Sequence, residues 1–195
     1  MKSAGPTPPA KPRTPRADAQ RNRDKLIEVA RAAFAAADGT VPLEGIARGA
    51  GVGIGTLYRH FPTREALVEA VYAAELDDVT GSASTLLQEL APDAAMRAWM
   101  ERYAAFVATK RGMADTLRAG WASGRIATPA TRERITAAVA TILARGAETG
   151  SLRGDVEPQD ITVMLLGIFL AGDTSEQTGR LIGLVMDALR PTAAG

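Results

Sequence analysis

Between Gly51 and Pro62 the chain reads GVGIGTLYRHFP, a tight Gly51-Val52-Gly53 turn, a short run of residues able to form a helix, and a proline. A proline restricts the residue before it to extended backbone, so a helix opening near Ile54 has to end at about His60. One element of about two turns is all that fits between the two breaks. Into it the chain places its only histidine (His60), with one of three tyrosines (Tyr58) beside it and one of four phenylalanines (Phe61) after it. Leu57 and Phe61, four residues apart, share one face. Ile54, Gly55, Thr56, Tyr58 and Arg59 are left for the opposite face, which is the one displayed.

The preceding residues supply a brace. Leu43, Ile46 and Ala47 form an apolar stripe over Leu43–Ala50; Pro42 is tolerated at the helix start, and Gly51 is placed for a left-handed cap at its end. Upstream, Leu26, Ile27, Ala30, Ala33 and Phe34 recur at helical spacing from Asp18 to Ala37, and Asp38-Gly39 is the stop. Two short helices around a tight turn make a helix-turn-helix, whose second helix is the one offered to a DNA major groove. Leu57 and Phe61 are expected to pack on Ile46, Ala47 and Phe34.

Downstream, Thr63 is a good N-cap for a long helix through Ala66, Leu67, Ala70, Val71 and Ala74 to about Val79. Helical patterns follow at 84–90, 93–110, 113–122, 129–148, 158–171 and 175–190, and no strand signal intervenes. The expected fold is all-α, with about nine helices. Residues 1–17, with five prolines and four basic residues, read as a disordered basic tail; 18–62 form the helix-turn-helix domain and 63–195 a helical body.

The formal charge of +1 is polarised: residues 1–64 carry 11 basic and 5 acidic side chains, residues 65–195 carry 12 and 17. A basic part and an acidic remainder suit a chain of which one end touches a polyanion. With no cysteine and one histidine, neither a disulfide framework nor a zinc cluster is expected, and no cofactor or metal is assigned. No paired carboxylates with helical metal-ligand spacing occur, which speaks against an all-helical enzyme. The longest apolar run, Ile161–Ala171, is too short for a bilayer and no signal-peptide pattern opens the chain, so a cytoplasmic location is expected.

Residues 19–67, above all IARGAGVGIGTLYRHFPTREAL, resemble the DNA-binding domain of the TetR (tetracycline-repressor-like) transcriptional regulators. The resemblance implies that Thr56, Tyr58 and His60 reach phosphates, and Arg64, opening the next helix, is placed to hold another; Ile54, Gly55 and Arg59 remain on the groove-facing side. Arg59 either reads guanine or holds a phosphate. Ile54 and Gly53 stand where many relatives carry polar base-reading residues; an isoleucine can meet a thymine methyl, which leaves more of the specificity to groove shape. Glu44, where some relatives carry a basic base-reading residue, either accepts from cytosine N4 or is only a favourable charge in the first turn of its helix. The tail residues Lys11, Arg13 and Arg16 are either a solvated segment or an arm for the minor groove.

For the body, the resemblance implies a ligand-binding and dimerisation domain. Met96, Trp99, Met100, Tyr103, Leu117 and Trp121 are the residues expected to line an apolar cavity; the alternative for each is plain core packing. Asp115 and Arg118 are either polar anchors there or an exposed ion pair. The last two helices are expected to pair with a second copy. The function expected is that of a homodimeric regulator, a repressor that binds a palindromic operator in double-stranded DNA and is released by a small, largely apolar effector; a helical adaptor without DNA binding is the alternative.

Overall fold

Leu26, Ala30 and Phe34 sit at i, i+4 and i+8 and are completely or almost completely buried, which defines the inner face of the first helix, α1 (Pro15–Ala36). The computed structural model describes residues 15–36, 41–110, 128–171 and 174–191. After α1 come α2 (Leu43–Gly49), α3 (Ile54–His60), α4 (Arg64–Glu89), α5 (Pro92–Thr109), α6 (Thr128–Thr149), α7 (Pro158–Ala171) and α8 (Ser175–Ala188). Among the described residues every regular element is a helix. None is long and apolar enough to cross a membrane. The helix expected at 113–122 lies outside the described residues, as does all of the expected tail but Pro15, Arg16 and Ala17, which belong to α1.

The helix-turn-helix forms where its local signals place it. Gly51 takes the left-handed conformation, with φ of 71°, and the backbone N–H groups of Gly51 and Val52 donate to the carbonyls of Arg48 and Ala47, both at 3.0 Å, closing the end of α2. Leu57 and Phe61 are buried in one core with Ile46, Ala47 and Phe34. Thr63 caps α4 by accepting from the backbone N–H of Ala66 at 3.2 Å.

α4 departs from the sequence expectation. Instead of stopping near Val79 and restarting at 84, it runs unbroken to Glu89. The buried stripe Val79, Ser82, Ala83 and Leu86 continues past Gly81, and this packing outweighs the cost of about 1 kcal/mol for a glycine inside a helix. Trp99 of α5 fastens this half of α4: its indole N–H donates to the Val79 carbonyl at 2.9 Å.

Around α4 pack α1, α5 and α6, with α7 and α8 closing over α5 and α6. Two arginines grip its middle. Arg31 of α1 bonds Glu75 at 3.0 Å and Asp78 at 2.8 Å, and Arg134 of α6 bonds Asp77 at 2.6 Å and Thr80 at 3.0 Å. Inside the body, the rings of Phe169, Tyr103, Phe106 and Tyr72 touch in succession, with centroids 5.4, 6.2 and 5.7 Å apart. Tyr72 ends the series on α4 and shares a hydrogen bond of 2.9 Å with Thr131 of α6.

Lys110, at the end of α5, holds its ammonium 4.2 Å from the Phe106 centroid and 5.3 Å from that of Tyr72. Burial pulls its pKa down to about 8, opposed by the Glu75 carboxylate. An unfolded chain keeps that proton up to the ordinary lysine range, so between about pH 8 and 10 it binds more protons than the folded one and stability rises with pH. Burial pushes Tyr103 the other way, to about 12, so stability falls again above about pH 10. Thermal melts of the wild type and Lys110→Met are therefore expected to converge from pH 8 to pH 10, from a difference of at most about 3 kcal/mol in favour of the variant. Parallel curves across that range would show that Lys110 titrates normally.

Candidate nucleic-acid interface

The N–H groups of Thr56 and Leu57 bond the carbonyl of Gly53, at 2.9 and 3.2 Å, which starts α3 immediately after the turn. With Leu57 fully buried beneath it, the helix shows Ile54, Gly55, Tyr58 and Arg59 to solvent, Ile54 at 36% and Tyr58 at 46% exposure. Thr56 and His60 are half-buried on its flanks. The side expected from the sequence to face the groove is thus the open side. Its chemistry is mixed: an apolar branch at Ile54, bare backbone at Gly55, a phenol and a guanidinium.

Arg59 is folded back on its own helix. Its guanidinium donates to the Gly55 carbonyl at 3.3 Å and to the Thr56 hydroxyl at 3.0 Å. The second bond couples Arg59 to Thr56: a guanidinium that leaves its helix frees the Thr56 oxygen as it goes. Arg64, expected to hold a phosphate, has partners within the chain. One of its amino groups donates to the Val41 carbonyl at 2.5 Å, and its guanidinium carbon lies 5.6 Å from the Phe34 ring centroid. The side chain ties α4 to the segment between α1 and α2 and to the core of the head, because a carbonyl and an aromatic face lie within its reach there.

Two basic groups escaped the sequence reading. The Lys25 ammonium reaches the turn at Gly51, where an added Cβ would lie 3.6 Å from it, and Arg23 stands over the Phe61 ring at 5.3 Å. Periodicity identifies the buried face of α1, but not which flank meets α2 and α3. Among the described residues no cluster of metal-ligating side chains occurs.

In the body, Met96, Trp99 and Met100 are fully buried and Tyr103 is 4% exposed. All four are core residues in this state, packed against one another and against α4. Leu117 and Trp121 lie outside the described residues, as do Asp115 and Arg118. Open space is found elsewhere. A polar cleft of about 700 Å3 adjoins the Arg31 ion pairs, and a more apolar groove of about 490 Å3 lies between α5 and α8.

Residues 26–71 match the family model of bacterial regulatory proteins of the tetR family, and residues 91–191 match that of the C-terminal domain of SbtR-like transcriptional regulators. The structure is similar to that of a TetR transcriptional regulator from Streptomyces coelicolor, with 43% identity over 88% of this chain and 99% of that one and a TM-score of 0.79. A TetR transcription regulatory protein from Mycobacterium vanbaalenii is 34% identical over 90% of this chain and 98% of that one, with a TM-score of 0.71. No curated protein matches the sequence.

The two kinds of residue on and around α3 separate by experiment. Tyr58→Phe and His60→Ala are expected to leave the melting temperature unchanged and to weaken binding to operator and scrambled DNA by similar factors, as lost phosphate contacts do. Arg64→Ala is expected to cost about 1–3 kcal/mol of stability, because the Val41 carbonyl loses its donor. Ile54→Ala and Arg59→Ala should relax preference at a thymine and a guanine by about 1–3 kcal/mol. Binding-site selection that returns an unchanged consensus for both variants would remove them from base readout.

Proposed function

Since the chain belongs to the tetR family of bacterial transcriptional regulators, we propose that it is a repressor that binds a palindromic operator as a homodimer and is released by a small, largely apolar effector. TetR-family regulators bind DNA and small molecules and are usually dimers. One observation carries the finer reading. Of the seven large apolar side chains exposed among the described residues, two, Ile54 and Tyr58, are on α3, and four, Val163, Met164, Leu170 and Leu184, are on α7 and α8. Exposed apolar area concentrated on two places suits two partners.

On α3 the partner is DNA. On α7 and α8 it is a second copy of the chain, since a single helix-turn-helix makes too few contacts for operator affinity, and two on a two-fold axis read a palindrome. Leu170 and Leu184, at 68% and 65% exposure, gain most from being covered, at about 1.5–3 kcal/mol each. The polarised charge supports the same division, with the basic end at the DNA and the acidic body away from it. Repression follows from occupancy of the operator, with no catalytic step assigned.

Leu170→Glu and Leu184→Glu test the arrangement. Each is expected to sediment as a monomer and to lose operator affinity towards the non-specific level, a drop on the order of 10^3-fold or more, with helix content unchanged. Gel shifts on DNA upstream of the gene measure the second effect. A dimeric Leu170→Glu, Leu184→Glu double variant with wild-type affinity would place the interface on other helices.

A further inference from the structure

The groove between α5 and α8 is open because the residues that face each other across it are small. Ala104 and Ala108 form one wall; opposite them stands Gly179, where an added Cβ would meet nothing within 4 Å. Phe169 is the floor, 4% exposed. The polar groups at the rim accept hydrogen bonds. Glu101 offers a carboxylate, and the Thr178 hydroxyl already donates its hydrogen to the Thr174 carbonyl at 3.0 Å, which leaves its lone pairs for a ligand. Ser175 adds a hydroxyl able to do either, and no lysine, arginine or histidine is among the described lining residues.

We propose that this groove, and not the filled core around Met96 and Trp99, is the effector site, and that it takes a compact apolar molecule carrying an N–H donor, an aryl or alkyl amine. The inference rests on the effector-released reading above and names its site and ligand class. The groove also has a physical connection to the DNA-binding end. Its floor, Phe169, meets Tyr103 edge-on at 5.4 Å and 77°, and the ring contacts continue through Phe106 to Tyr72 on α4. One turn beyond Tyr72 on the same helix, Glu75 holds Arg31 of α1. A ligand that displaces Phe169 moves packed rings in series, and close-packed interiors pass such displacements on.

N-Phenyl-1-naphthylamine, a neutral fluorescent probe with one N–H, tests the site against 1-phenylnaphthalene, which has the same rings and no donor. The wild-type protein is expected to bind the amine saturably and about tenfold more tightly than the hydrocarbon, as one hydrogen bond to a charged acceptor provides. Ala104→Trp and Gly179→Leu, which fill the groove from opposite walls, are each expected to weaken the amine at least about tenfold, while the variants remain dimers by sedimentation. Gly179→Leu replaces a helical glycine by a better helix former, so folding is kept in at least one variant. Glu101→Ala should abolish the preference for the amine and leave hydrocarbon binding in place. No binding to the wild type, unchanged affinity in both filled variants, or a preference that survives Glu101→Ala would each overturn the proposal. So would a filled variant that becomes monomeric, because the occupant of the groove would then be the second copy. A gel shift of the wild type without probe reports operator binding separately, so the repressor reading and the groove fail or stand independently.

Discussion

One helix must satisfy the packing of both halves of the molecule. α4 buries Leu67, Val68 and Val71 against the core of the reading head and Tyr72, Leu76, Val79, Ala83 and Leu86 against the body, within one continuous apolar cluster. From Leu67 to Leu86 is about 28 Å of helix rise. Such a rod transmits tilt with little loss, because bending it would break its own hydrogen bonds and unpack both ends. The unbroken passage through Gly81 is therefore more than a detail of helix boundaries. A break there would separate the turn held by Trp99 at Val79 from the buried residues Ser82, Ala83 and Leu86 that follow it.

The electrostatic grip on α4 is uneven, and burial decides where its weight falls. Arg31 and Asp78 meet with both side chains well exposed, and a pair of that kind contributes little. The Glu75 side chain, at 4% exposure, has no such freedom: a buried carboxylate depends on the cations held beside it, of which Arg31 is the one bonded to it at 3.0 Å. The Arg31–Glu75 contact thus fixes α1 against α4 more firmly than its neighbours do. It lies one turn from Tyr72, so the ring contacts of the body and the ion pair of the head converge on the same stretch of helix.

What was legible in the sequence is what local chemistry dictates. The α3 limits, Ile54 to His60, follow from Gly53 and Pro62; the Thr63 cap and the Gly51 turn need only their immediate neighbours. The open side of α3 was readable from the spacing of Leu57 and Phe61. Arg64 was not, because its partners, Val41 and Phe34, are remote in sequence and come within reach only after the head has folded. The end of α4 was misplaced for a related reason, since the pattern along the chain is local and the stripe that carries the helix past Gly81 is packed by α5. Met96, Trp99 and Met100 have the composition of a cavity lining and the burial of a core, and no pattern along the chain separates the two.

The folded-back guanidinium of Arg59 bears on how a DNA reader finds its target. A protein moving along a duplex meets thousands of wrong base pairs for each right one, and any side chain that grips them all acts as a brake. Two of the five N–H donors of Arg59 are held by Gly55 and Thr56, so a contact that draws the guanidinium off α3 has to replace those two bonds. Guanine offers two on one edge, in the spacing of the guanidinium fork. The internal hydrogen bonds therefore set a cost on any contact that pulls Arg59 away from its own helix, and an edge with two acceptors offsets that cost best.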